Sequence, residues 1–235
     1  MTQPHTPRRA QVQLLALCGL VLLASCGGTL WPKSPPAPAR HTLDAATATT
    51  TTIAPSPGAS AGPMAAASAP VLLVGRPRAA AGHDSRRMVY QRLPLELEAF
   101  AFHEWVEPPA QLLAPLLVRA LQDGGGFRAV LLAPSAAAGG WLLETELIRL
   151  QQDFSSRPSQ VQLTLRVVLL DGSTRQVIAW RSFDSRVAAA SDDPVAGVQA
   201  AQQAVQRALS AVTAFCAEER SRAALTRGVA AGSAP

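Results

Sequence analysis

The sequence predicts an α+β fold, a mostly antiparallel sheet with two main helices packed on one face. Three observations carry it. Val161 to Leu170 alternates cleanly, with Val161, Leu163, Leu165, Val167 and Leu169 facing one way and Gln162, Thr164 and Arg166 the other. Asp171-Gly172 then begins a tight connection, and Gln176 to Val187 returns as the antiparallel partner. Two apolar stripes at helical spacing lie on either side of this hairpin: Leu112, Leu113, Leu116, Leu117, Ala120 and Leu121 before it, and Val198, Ala201, Val205, Leu209, Val212 and Cys216 after it. Two helices on one face of a sheet is the economical way to bury both stripes.

Each element has a local reason. Val71-Leu72-Leu73-Val74 is a short apolar strand, Arg86 to Arg92 a second, and Leu95 to Phe102 a third extended segment. Pro108-Pro109 opens the first helix, where missing amide donors cost least. Pro115 should kink or tighten that helix, and Asp123-Gly124-Gly125-Gly126 stops it. These glycines end a helix and do not open one, which argues against a phosphate cradle. Phe127 to Leu132 and Trp141 to Phe154 are the next strands. The alternation of the second slips near Leu147-Ile148, where a bulge is expected. Asp193 is a good N-cap and Pro194 a good first position for the last helix, whose outer face carries Gln199, Gln202, Gln203, Gln206 and Arg207.

The chain has 235 residues, 48% hydrophobic and 16% charged, with mean hydropathy +0.14. That suits one ordinary domain with tails. No apolar run reaches the roughly 18 residues of a membrane-spanning helix. The formal charge of +5 invites a nucleic-acid reading, but residues 71–219 carry a net −1 and each flank carries +3. The excess sits in solvated tails, so no nucleic-acid partner is expected.

The first 25 residues read as an address. Arg8 and Arg9 precede an apolar stretch from Val12 to Leu22, of signal-peptide length and too short to span. It ends Leu23-Ala24-Ser25-Cys26-Gly27-Gly28, which resembles a bacterial lipobox. The resemblance implies cleavage before Cys26, diacylation of its sulfur and acylation of the new amino terminus; this covalent lipid is the only attached group expected, with no cofactor and no metal. Gly27, where an Asp would favour inner-membrane retention, points to the periplasmic face of the outer membrane. In the mature chain Cys216 is then the one remaining thiol, expected to be buried and inert on its helix stripe. Residues 26–70 read as a tether rich in Ala, Thr, Pro, Ser and Gly. Its 44 residues between Cys26 and Val71 would span roughly 35 Å as a flexible coil. The His41-Thr42-Leu43-Asp44 island within it is a candidate strand. The domain runs from 71 to 219, and 220–235 reads as a flexible basic tail.

Catalytic constellations are weak. His41, His83 and His103 have no partner at recognised zinc-ligand spacing, and His103-Glu104 lacks the second His of a zincin helix. Gly58-Ala59-Ser60-Ala61-Gly62 matches a nucleophile elbow only inside the low-complexity tether, with no strand before it. Glu144 and Glu146 share one strand face, as solvated carboxylates commonly do. No P-loop or dinucleotide fingerprint is present, so an enzyme is not expected.

Several stretches together are similar to a known family. They are Met88-Val89-Tyr90-Gln91-Arg92, then Phe100-Ala101-Phe102-His103-Glu104-Trp105-Val106-Glu107-Pro108-Pro109, then the Leu112-to-Leu121 helix leading into Gly126-Phe127-Arg128, with Leu143 to Phe154 and the helix from Pro194 downstream. This resembles the ABC-type transport auxiliary lipoproteins, the PqiC-like family, over about Val71 to Phe215 plus the lipobox. The resemblance implies a non-enzymatic part of a lipid-trafficking system. Its partners would be an inner-membrane ABC transporter, a membrane-anchored MCE-domain protein that forms a periplasmic conduit, and phospholipid. It also leaves room for a homo-oligomeric ring. Tyr90, Phe100, Phe102, Trp105 and the Pro108-Pro109 step are the candidates to form or brace the partner-facing surface, against the alternative that these aromatics are core. The competing function is a structural envelope lipoprotein that helps assemble another outer-membrane complex.

Overall fold

A computed structural model describes residues 36–44, 69–135 and 140–232, without the side chains of 227–232. The signal segment, Cys26, most of the tether and its Gly58–Gly62 motif lie outside the described residues. The compact unit begins at Pro38. Its strands are β1 (Ala39–His41), β2 (Val71–Val74), β3 (Arg78–Ala79), β4 (Arg87–Gln91), β5 (Glu98–Trp105), β6 (Ala129–Leu132), β7 (Trp141–Asp153), β8 (Gln160–Asp171) and β9 (Val177–Ala188). Helix α1 (Pro109–Asp123) lies between β5 and β6, and α2 (Pro194–Gly232) follows β9.

β7 is the spine of the sheet. β8 pairs with it along one side from Trp141↔Asp171 to Asp153↔Gln160. Three strands share the other side in succession: β2 at Trp141–Leu143, β3 at Glu146 and Leu147, and β4 at Gln152 and Asp153. β6 lies outside β2, and β5 then β1 lie outside β4. The long β7–β8–β9 meander and the β4–β5 hairpin are antiparallel. The short ladders β1–β5, β2–β6, β2–β7, β3–β7 and β4–β7 are parallel. The sheet is therefore mixed, because strands that reach β7 from far upstream arrive in its own direction, after crossovers that a hairpin cannot supply.

The expected slip in β7 is present as a register shift between Leu147 and Arg149. The extra residue re-aims the strand so that Leu147 and Leu150 both enter the core. On β8, Val161, Leu163, Leu165, Val167 and Leu169 are all buried, and α2 covers β8 and β9. Each such side chain contributes about 1.5–3 kcal/mol on leaving water. The helix starts as its sequence dictates: Asp193 Oδ1 accepts from the amides of Val195 (2.9 Å) and Ala196 (3.0 Å). Its six stripe residues are buried, and burial pushes the Cys216 thiol up to about 12.

Two boundaries differ from expectation. The third segment forms its strand later, from Glu98 to Trp105, and leaves Leu93, Leu95 and Leu97 in an exposed turn. α2 continues past Glu219 to Gly232, where a flexible tail was expected. Ala, Arg and Leu are good helix formers, and the added turns find partners. Glu219 is buried and pairs with Arg222 at 2.6 Å. The Arg220 guanidinium lies 5.8 Å over the Phe127 ring, within the roughly 6 Å reach of a cation–π contact. It occupies the space that a side chain on Gly126 would take.

Candidate partner-facing site

The β4–β5 hairpin and the start of α1 bring the sequence-predicted residues into one region, but with different exposures. Tyr90 packs on Phe100 with ring centroids 4.4 Å apart, and Phe154 meets both rings edge-on at 5.7 and 6.3 Å. The Tyr90 hydroxyl donates to Glu98 at 2.8 Å, and this bond raises the phenol's pKa. The Arg92 guanidinium sits 5.0 Å over the same ring. Trp105 is 4% exposed, facing a narrow crevice it shares with Met88, Phe100, Leu150, Val161 and Ala201. Pro109 is buried at the first turn of α1, and the Pro108 carbonyl accepts from the amides of Gln111 and Leu112. Of the six candidates, Phe102 alone is well exposed, at 52%. The other aromatics brace the region from within, because a large ring beside an apolar helix gains more by leaving water than by facing it.

One contact was invisible in the sequence. β1 lies parallel to β5, with Ala39 opposite His103 and His41 opposite Trp105. His41 Nε2 and His103 Nδ1 are 2.9 Å apart and the two rings stack at 5.2 Å. Arg40 pairs with Glu104 at 3.0 Å, the Val106 amide donates to the His41 carbonyl at 2.8 Å, and Leu43 enters the core. The strand expected at His41–Asp44 is thus displaced to Ala39–His41: of that island only His41 joins the sheet edge, and Leu43 packs just beyond it. A hydrogen bond between two imidazoles needs a neutral acceptor nitrogen, so the pair opposes full protonation. Burial, then the neighbouring His103, lowers the pKa of His41. His83 is lowered too, first by burial and then by Arg149.

The sign follows from these directions. The unfolded chain takes up protons near the ordinary histidine value of 6.5, while the folded chain resists until lower pH. Their contribution to stability is complete above 6.5 and is lost as pH falls through the folded values. We expect the melting temperature to drop between about pH 7.5 and about pH 5.5, and the protection factor of the Val106 amide, its exchange rate relative to the unfolded chain at the same pH, to fall over the same interval. His41→Asn should flatten that fall in protection.

Among the described residues, no group of three or more His, Cys, Asp and Glu side chains is placed to hold a metal. No described helix is long and apolar enough to cross a membrane. A concave surface lies away from the hairpin, between α1 and α2, and is lined by Leu116, Arg119, Asp123, Gln206 and Thr213.

A family model described as the ABC-type transport auxiliary lipoprotein component matches residues 52–213. The chain belongs to this family. The match begins within the segment read from sequence as a tether and ends inside α2. A DUF330-family protein of Xanthomonas campestris is similar in structure at a TM-score of 0.60, with 24% identity over 67% of this chain and 92% of that one. A second solved protein, described as uncharacterized, gives a TM-score of 0.54 at 15% identity, covering 63% of this chain and 92% of the other. These likenesses show the shared fold. No curated protein sequence matches this chain. This family is a transport auxiliary lipoprotein family and not a known enzyme family.

Proposed function

We propose that this auxiliary lipoprotein is lipidated at Cys26 and held on the periplasmic face of the outer membrane. There it docks the conduit formed by an MCE-domain protein of an ABC transport system, or hands phospholipid to or from it, without catalysing a reaction. The observation that carries this reading is the Leu23-Ala24-Ser25-Cys26 lipobox, in register behind a basic n-region and an apolar h-region, upstream of a family-matched domain. Gly27 supports the outer membrane. Phe102 is the exposed aromatic through which the hairpin would meet the conduit, with Tyr90, Phe100 and Trp105 setting its position from behind.

Photo-crosslinking in intact cells from Phe102 and the neighbouring exposed Ala101, with mass spectrometry of the adducts, tests this. An MCE-domain protein or phospholipid in the adduct is the expected result. Adducts with outer-membrane assembly proteins alone, or none from either position, would overturn it in favour of a structural envelope role.

A further inference from the structure

The turn between β4 and β5 shows apolar side chains to solvent where a turn has no need of them. Leu93 is 58% exposed, Leu97 46%, and Leu95 is fully exposed. Leu95 also sits at φ 68, in the left-handed region that glycine or asparagine enters more cheaply. The Glu96 amide donates to the Leu93 carbonyl at 3.2 Å, and Gln91 Nε2 donates to that same carbonyl at 3.1 Å, so the backbone of the turn is held from within. The leucine side chain at 95 adds nothing to that hold. A held loop that spends conformational energy to display a leucine is the pattern of a surface with an occupant.

The chain's own path names the occupant. β4 runs toward this turn and β5 runs away from it. β1 is parallel to β5, so the chain enters β1 from the end of the sheet where the turn lies. Cys26 is 13 residues upstream of Ala39, a reach of at most about 45 Å when extended. A lipid on Cys26 would therefore hold this end of the domain within reach of the bilayer. The opposite end carries the β8–β9 turn at Ser173, next to the Trp141 end of β7.

We infer that the Leu93–Leu97 turn enters the lipid surface to which Cys26 is anchored, and so sets the domain upright on the membrane with the β8–β9 turn pointing away. Arg92, at the base of the turn, is exposed with its guanidinium over the Tyr90 ring, at the level that lipid phosphates would take, while Glu96 marks how shallow the entry is. Acyl chains and an apolar tip would be two separate membrane signals, which together fix orientation as a flexible lipid anchor alone does not. The inference rests on lipidation at Cys26.

The test uses the full chain as its native envelope processes it, added to phosphatidylethanolamine–phosphatidylglycerol vesicles and labelled with an environment-sensitive fluorophore at Leu95→Cys or, as the distal control, Ser173→Cys. Cys216 is buried and does not compete for the label. The expected result is blue-shifted emission at position 95 that nitroxide-bearing lipid quenches, with neither effect at 173. Vesicle-bound protein with a wet position 95 overturns this inference and leaves lipidation standing, and a protein–protein crosslink from the same position would then assign the turn to a partner. Protein that fails to float with vesicles overturns lipidation and this inference together.

Discussion

Trp105→Ala is expected to cost about 3–5 kcal/mol of folding free energy, as large-to-small changes of buried aromatic rings do. The indole is 4% exposed and is surrounded by Met88, Phe100, Leu150 and Val161 from the sheet and Ala201 from α2. Its loss leaves a cavity between the hairpin and the helix that the tightly packed neighbours cannot close. Thermal melting should fall by roughly 10 °C for a domain of this size. Phe102→Ala is the companion measurement. At 52% exposure it should change stability by no more than about 0.5 kcal/mol, yet weaken crosslinking to the conduit. A Trp105→Ala protein of undiminished stability would show that the ring is not core, and would return it to the contact surface.

Gly140→Ala should be comparably severe for a different reason. Gly140 has φ 105, and a Cβ there would lie 2.0 Å from the Val71 carbonyl oxygen. That oxygen belongs to the backbone of β2, which is paired on both sides by β6 and β7 and cannot swing aside. Backbone strain and overpacking, each about 1–3 kcal/mol, together predict a loss of roughly 4 kcal/mol in chemical denaturation. Gly125→Ala separates the two contributions. Its φ is also positive, at 66, but nothing lies within 4 Å of the new Cβ, so strain alone of about 1–2 kcal/mol is expected. Equal losses at the two sites would contradict the steric argument.

The elements legible in the sequence were those whose reasons are local. The bulge in β7 shows itself because Leu147, Ile148 and Leu150 break a period-two pattern, and α2 because Asp193-Pro194 precedes a long helical stripe. For β1 the sequence showed only the island at His41–Asp44, two residues late and without a partner. Ala39-Arg40-His41 is short and polar, and its pairing with β5 joins residues 64 apart, as at Arg40 and Glu104. The His41–His103 contact depends on that pairing, so neither histidine could be matched to the other by spacing. The end of α2 was hidden in a related way. Arg220 and Arg222 read as solvated tail charges until Phe127 and Glu219 are seen beside them. The candidate surface was legible as a region but not as an exposure pattern, since Tyr90, Phe102 and Trp105 are all aromatic and only three-dimensional packing decides which of them faces water.

The position of β7 governs the order in which the chain can become a domain. β2 finds its partners only in β6 and β7, well over 50 residues downstream, and β3 pairs only with β7. A polypeptide delivered amino end first must therefore carry Val71-Leu72-Leu73-Val74 unpaired until Ala129–Leu132 has arrived, and half-paired until Trp141–Leu143 follows. The β7–β8–β9 meander needs only neighbouring hairpins, so it can assemble first and act as the template on which the earlier strands are laid. Along this side of β7 folding would then run backward, with β2 and β3 docking onto strands made long after them. During that wait the β2 segment is the stretch most in need of a chaperone's protection.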